Sequence, residues 1–128
     1  VKFHNEPCLI PYKGFDFKLC HDFSITVGNY KVKVPKGFTT DLASIPRLFW
    51  SIYSPNNTRT IIAAIVHDYL YACPGQISKT DADNIFYTLL RYNGESKYLS
   101  YKYWAAVHLF GEDNFNKGYE CDSQLFQV

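Results

Sequence analysis

The residues best suited to chemistry are an adjacent histidine and aspartate, His67 and Asp68, within a run of apolar and aromatic side chains over residues 61–71. A helix that is apolar on every side is typically buried, so these two polar side chains are costly there unless both find partners. An imidazole near a carboxylate can act as a general base, a proton shuttle or half of a metal site. Adjacent helical positions point about 100° apart. We therefore expect His67 and Asp68 to have different partners, and Tyr71 to share the face of His67.

Two further aspartates, Asp81 and Asp83, flank the apolar stripe of the next predicted helix. The short proline-glycine connection between the two helices predicts that they pack together, which would bring one carboxylate to His67 or Asp68. A histidine oriented by a carboxylate is a common general-base arrangement, whereas a histidine with two or three carboxylates can bind a hard cation. The alternative is structural, because acidic side chains such as Asp81 are favoured at helix N-termini.

A third polar group, Asp41, Ser44 and Arg47, lies between the predicted strands and the helix that carries His67. Asp41 and Ser44 either cap a short helix over about residues 44–53 or, for Asp41, supply a third carboxylate to the same pocket. Arg47 is suited to binding an anion or pairing with a buried acid. Ser44 lacks the surrounding glycines of a nucleophile elbow. The other histidines have no metal-like spacing, and we predict no function for them: His4, His21 and His108.

The elements that must position these residues follow from local patterns. Two alternating runs around Gly28-Asn29 predict a β-hairpin over residues 23–34. Apolar periodicity and capping residues predict helices over about residues 59–73, 78–92 and 97–110. We expect an irregular lead-in over residues 1–14 and a docking tail over residues 112–128. The prediction is a single α+β domain over residues 1–128: an N-terminal β-hairpin or small antiparallel sheet followed by three to four packed helices.

Composition narrows the classes of partner. The 128 residues include 13 basic and 12 acidic side chains with no basic block, so nucleic-acid binding is not predicted. The sequence has no apolar run of membrane-spanning length and no signal-peptide pattern, so we predict no transmembrane segment. The cysteines show neither Cys-x-x-Cys nor zinc-finger spacing. Two disulfides are compatible with them, but buried free thiols are favoured: Cys8, Cys20, Cys73 and Cys121.

Three segments together resemble a known family: GFTTDLASIPR at 37–47, AAIVHDYLY at 63–71 and ADNIF at 82–86. They are similar to domain-of-unknown-function family 1353, which is common in tailed phages and prophages. The resemblance implies no established activity. It does imply a phage or prophage origin, other phage proteins as partners, and a location in the virion or the infected host cytoplasm. The signature positions that it implies are Asp41, Ser44, Pro46, His67, Asp68, Tyr71 and Asp83.

A shorter similarity covers only the His67-Asp68-x-x-Tyr71 motif and the later Asp83. It resembles the active helices of phospholipases of the A-two class. The resemblance implies that His67 is the water-activating base, that Asp68 binds calcium and that Asp83 orients the histidine. The glycine-rich calcium loop of those enzymes has no counterpart here, unless the Asp41 segment replaces it. Their paired helix cysteines are also absent.

Two functional hypotheses follow. In the first, His67 activates water, Asp83 orients it, and Asp68 with Asp41 holds a divalent cation, preferably calcium. The substrate is then a cell-envelope component, lipid or peptidoglycan, and the supporting residues are Ser44, Arg47, Tyr71 and Asp81. In the second, the chain is a structural or adaptor component of the virion tail or neck, and the same polar residues form a buried network that fixes the fold. The sequence does not predict an oligomeric state.

Overall fold

The computed structural model describes residues 1–11, 17–40, 58–72, 77–110 and 125–127, with backbone only for 58–60 and 125–127. This part of the chain contains strands in two small antiparallel sheets, followed by three helices, so the predicted α+β class is confirmed. The short helix predicted over residues 44–53 lies outside the described residues. The elements are β1 Lys2–Phe3, β2 Leu9–Pro11, β3 Phe17–Leu19, β4 Phe23–Val27, β5 Tyr30–Val34, β6 Thr39–Thr40, α1 Thr58–Ala72, α2 Lys79–Tyr92, α3 Lys97–Phe110 and β7 Leu125–Gln127.

The β4–β5 hairpin forms at the predicted residues. Gly28 has a φ of +57°, a left-handed conformation that glycine adopts without a Cβ penalty. Val27 pairs with Tyr30, and Phe23 pairs with Val34. The side chains on one face are buried and belong to the core: Phe23, Ile25, Val27, Val32 and Val34.

The strands form two sheets, with the orders β1–β4–β5–β7 and β2–β3–β6. The predicted irregular lead-in over residues 1–14 is therefore wrong for Lys2–Phe3 and Leu9–Pro11, which are strands. Lys2 pairs with Thr26 in β4, and Leu9 pairs with Leu19 in β3. Strands of two or three residues are too short to show an alternating pattern. The partner of β1 also lies outside a local sequence window, because it is β4.

Cys8 and Cys20 form a disulfide, so the expectation of free thiols is wrong for this pair. Their Cα atoms are 5.4 Å apart, within the range that a disulfide spans. The backbone N–H of Cys20 donates to the carbonyl of Cys8 at 3.0 Å. The antiparallel pairing of β2 with β3 thus brings together two cysteines that are twelve positions apart in sequence. Cys73 and Cys121 lie outside the described residues.

Helix α1 is the most deeply buried of the three helices, and α2 lies between it and α3. Its residues from Ala63 to Tyr71 are buried except Asp68, which is half-buried. The helix packs against α2 and also contacts β5 and β6. Burial on nearly all sides is what its unbroken apolar composition predicts.

Helix α2 has a cap at each end. The hydroxyl of Ser78 accepts a hydrogen bond from the backbone N–H of Asp81 at 3.1 Å, as an N-cap does. At the other end Gly94 has a φ of +96°, and Glu95 N–H donates to the carbonyl of Leu90 at 2.9 Å. With the Gly94–Arg91 bond this is a Schellman motif. The buried stripe of α2 contains one carboxylate, Asp83.

Candidate functional site

His67 on α1 and Asp83 on α2 are in direct contact. The imidazole Nε2 lies 2.8 Å from Asp83 Oδ1, and both side chains are fully buried. Each sits on the inward face of its helix, so the packing of α1 against α2 brings them together. An α2 carboxylate was expected to approach His67 or Asp68, and it approaches His67. The catalytic roles of His67 and Asp83 stay predictions.

The Asp83 carboxylate accepts hydrogen bonds from four side chains. Oδ1 accepts from His67 and, at 2.5 Å, from the Tyr71 hydroxyl. Oδ2 accepts from Lys79 Nζ at 2.9 Å and from His108 Nδ1 at 3.1 Å. A carboxylate offers about four lone-pair sites, so this one is saturated. Tyr71 was predicted to share the face of His67, and it does.

Asp83 is held as an anion. Burial alone would raise the pKa of Asp83, but hydrogen bonds from His67, Tyr71 and Lys79 together outweigh that effect and lower the pKa from 3.8 to about 2. A carboxylate can only accept hydrogen bonds. We therefore assign the hydrogen of a neutral His67 to Nε2 and that of a neutral His108 to Nδ1.

In this tautomer the other nitrogen of His67, Nδ1, is a hydrogen-bond acceptor. Nδ1 is buried and has no hydrogen-bond partner among the described residues. The ring lies between two aromatic rings, with its centroid 4.0 Å from that of Tyr71 and 4.7 Å from that of Phe86. These two ring contacts and the Nε2 hydrogen bond to Asp83 together orient the imidazole.

Lys79 connects this site to the end of α3. Its ammonium group donates to Asp83 and also to the carbonyls of Val107 at 3.1 Å and His108 at 2.8 Å. The last carbonyls of a helix have no partner within the helix, and a cation there is favoured by the helix dipole. Asp83 and Lys79 together thus join α1, α2 and α3.

Asp68 has a separate environment, as its position beside His67 predicted. Its Oδ2 accepts a hydrogen bond from the Thr40 hydroxyl in β6. Thr40 is buried and Asp68 is half-buried. The adjacent His67 and Asp68 therefore connect α1 to different elements, α2 and β6.

The remaining predicted site residues do not join the Asp83 cluster in the described part of the chain. Asp81 is exposed, and its carboxylate lies 3.5 Å from the Tyr30 hydroxyl. Asp41, Ser44 and Arg47 lie outside the described residues. Their predicted parts in a shared pocket therefore stay predictions.

Sequence reasoning missed two members of the cluster, Lys79 and His108. Lys79 stands four positions before Asp83, a spacing that places both on one helical face, so it carried a usable signal. His108 lies in the last turn of α3. Nothing local to His108 in the sequence indicates that it meets Asp83, because the packing of α3 on α2 decides that contact.

The chemistry of Asp83 does not fit a cation site, because an ammonium group and three other donors already surround it. The described residues contain no group of three or more histidine, cysteine or acidic side chains placed to hold a metal. Asp68 is the remaining described candidate. It is a half-buried carboxylate beside a hydroxyl, and calcium takes oxygen ligands of this kind.

Comparison with known proteins places this arrangement in a family. A family model described as "Protein of unknown function (DUF1353)" matches residues 17–107. The chain belongs to that family. The match includes His67, Asp68, Tyr71, Lys79 and Asp83, and it ends one residue before His108.

One relative is the uncharacterized protein y4jT of Sinorhizobium fredii, which is 34% identical over 99 residues. The aligned region covers 76% of this chain but only 29% of y4jT, so this family member spans less than a third of that relative. No solved structure matches the chain. Among the described helices, none combines the length and apolarity needed to cross a membrane.

Proposed function

We propose that this chain is a phage- or prophage-encoded hydrolase in which His67 is the general base and Asp83 orients it. The observation that carries the proposal is the asymmetric environment of the imidazole. Nε2 is hydrogen-bonded to a buried carboxylate, while Nδ1 has no partner among the described residues. A carboxylate that fixes one nitrogen of a histidine, so that the other can take a proton, is the usual support for a general base.

The proposed step follows from the tautomer. Nδ1 accepts a proton from a water molecule while the water oxygen forms a bond to the electrophilic atom of the substrate. The resulting imidazolium is stabilised by the Asp83 anion through the Nε2–H bond. When the bond to the leaving group breaks, Nδ1 returns the proton to that group, so the neutral imidazole is restored. Tyr71 and Lys79 keep Asp83 ionised throughout.

The cofactor proposed for this reaction is calcium, held by Asp68 with Asp41. Bound there, the ion would supply positive charge that stabilises a developing oxyanion. The proposed substrate is a cell-envelope component, lipid or peptidoglycan, and the proposed location is the virion or the infected host cytoplasm. The resemblance to phage proteins supports both of these proposals, while the oxygen chemistry around Asp68 supports the cation.

His67→Gln is the sharpest test, because a glutamine amide can replace the Nε2–H donor to Asp83 but cannot act as a base. The wild-type chain and the variant are incubated with phospholipid vesicles and with purified peptidoglycan, with calcium and with a chelator. Fatty acids and newly formed sugar or peptide ends are measured. We expect calcium-dependent release by the wild type and a loss of about 10²–10⁴-fold in His67→Gln.

Tyr71→Phe serves as the matched control, since it removes one donor to Asp83 and leaves His67 Nδ1 intact. It should keep most of the activity. Equal activity of His67→Gln and the wild type would exclude His67 as the base. Loss of activity accompanied by unfolding would be identified by thermal melting of each variant.

A second candidate is a virion tail or neck component in which these residues are structural. It is favoured by the full burial of His67 and by the saturated Asp83 network that joins three helices. Protein quantification of purified particles tests it. Many copies of the chain per virion, together with an inactive wild type and a strongly destabilised His67→Gln, would select this function over the hydrolase.

A further inference from the structure

A cleft between α2 and α3 contains no residue of the Asp83 cluster. It has a volume of about 250 Å³, and the described residues that line it are Asn84, Tyr87, Tyr101 and Trp104. Tyr101 is 59% exposed, so its ring is accessible to a ligand. Exposed aromatic groups gathered around a concavity typically mark a binding site.

The indole of Trp104 is fixed before any ligand arrives. Its Nε1–H donates to Asn84 Oδ1 at 3.1 Å. Its ring stacks on His108 with centroids 4.7 Å apart and an angle of 11° between the planes, and His108 is itself held by Asp83. The Tyr101 ring lies 5.8 Å from Trp104. A wall that is already ordered loses little conformational freedom on binding.

The lining also indicates the chemistry of a ligand. The four described side chains carry no charge, so a phosphate or carboxylate would find no counter-ion there. Three aromatic faces suit a ring with apolar faces. The Asn84 amide still has its NH₂ donors, and the two tyrosines have phenolic hydroxyls, which suit hydroxyl groups at a ligand's edge. The volume of about 250 Å³ lies just below the roughly 300–1,000 Å³ of drug-sized pockets, so the cleft can accommodate one or two rings of a longer ligand.

We propose that this cleft binds neutral pyranose rings, as a carbohydrate site that holds the chain on a glycan. The ring faces of the sugar stack on Tyr101 and Trp104, and its hydroxyl groups bond to Asn84 and the tyrosine hydroxyls. The inference goes beyond the hydrolase proposal, because the cleft shares no residue with the His67–Asp83 pair and requires no cleavage.

Calorimetric titration of the full chain with chitotetraose and with cellotetraose tests the proposal. We expect saturable binding of at least one of the two. Tyr101→Ala should weaken it roughly three- to tenfold, the loss for one aromatic contact. Tyr101→Phe keeps the ring but loses one hydroxyl, so its affinity should lie between those of the wild type and Tyr101→Ala. His67→Gln should bind like the wild type, so failure of the hydrolase proposal would leave this result unchanged.

Tyr98→Ala is the matched control. Tyr98 is a 66% exposed tyrosine one turn earlier on the same helix, outside the cleft, and its removal should not change the affinity. The proposal would be overturned if neither tetrasaccharide bound at about 10 mM, a concentration tenfold above a millimolar Kd. Equal losses of affinity in Tyr98→Ala and Tyr101→Ala would also overturn it. So would tighter binding of adenosine than of both sugars, which would identify a nucleobase site instead.

Discussion

Asp83 serves two histidines that differ in their exposure. His67 is fully buried against Oδ1, while the side chain of His108, against Oδ2, is 35% exposed. Protonation of either imidazole adds a positive charge beside the same anion. The charge on the His108 ring therefore acts electrostatically on the His67 ring, although the two rings contact different oxygens of Asp83. The site is therefore the Asp83 anion with four hydrogen-bond donors around it, and the ionisation of Asp83 is the property to measure.

The pH dependence of stability should report the ionisation of Asp83. Its pKa in the folded chain, about 2, lies below the ordinary 3.8. The stabilisation that this group contributes is therefore fully present above about pH 5 and is lost as the pH falls through about 4 to 2. The shift corresponds to about 2 kcal/mol. Urea unfolding of the wild type and of Asp83→Asn measures this stabilisation. The pH range is about 6 to 2, because it covers the window in which the stabilisation is lost.

We expect the difference between the two free energies of unfolding to shrink by about 2 kcal/mol across that range. Asp81→Asn is the control, because the Asp81 carboxylate is on the same helix but is exposed and contacts Tyr30 and not the cluster. Its difference from the wild type should change much less with pH. A difference for Asp83→Asn that stays constant down to the lowest pH would show that Asp83 is not held as an anion.

The members of the site were predictable to different degrees. The contact of His67 with an α2 carboxylate follows from two apolar faces that each contain a polar residue, because burial forces such residues to find each other. His108 belongs to a third helix, and its contact with Asp83 depends on how α3 packs on α2. The sequence around His108 does not indicate how α3 packs on α2, so this contact could not be predicted from it.

At the scale of elements, α2 carries Asp83 and Lys79 and forms one wall of the aromatic cleft. Its start and end were predictable because both signals are local: Ser78 before the first turn, and Asn93-Gly94 after the last. The β4–β5 hairpin was predictable for the same reason. Strands β1 and β7 were not, since each has its partner in a distant part of the chain. Strand β2 pairs with the next strand but has only three residues, too few for a pattern.

Removing the N-cap of α2 should weaken the whole structure moderately. Ser78→Ala deletes the oxygen that accepts the Asp81 N–H, and we expect a loss of about 1 kcal/mol in the free energy of unfolding. Ser78→Asp keeps a capping oxygen and should stay within about 0.5 kcal/mol of the wild type. Urea unfolding of both variants provides the comparison. Equal losses in the two variants would show that the cap is not the cause.

At the scale of the molecule, the Cys8–Cys20 disulfide closes a loop of the chain that includes β2 and part of β3. A loop of this length should stabilise the fold by about 3 kcal/mol, chiefly by restricting the unfolded chain. The double variant Cys8→Ser with Cys20→Ser should lose that amount in urea unfolding under oxidising conditions. Wild-type protein treated with a reductant should match the double variant. If the reductant lowers the free energy of unfolding of the wild type no more than that of the double variant, the disulfide is not stabilising.

The pairing of β5 with β7 has a consequence for the chain while it is being made. Tyr30 pairs with Gln127 and Val32 with Leu125, so the hairpin emerges from the ribosome long before its last neighbour. At about 5–20 residues per second, the β5 edge waits on the order of ten seconds with its hydrogen-bonding groups unpaired. An open strand edge attracts other strands. During that interval nascent chains on one polysome are exposed to edge-to-edge association, and Lys31 and Lys33 on the hairpin are the charges that oppose it.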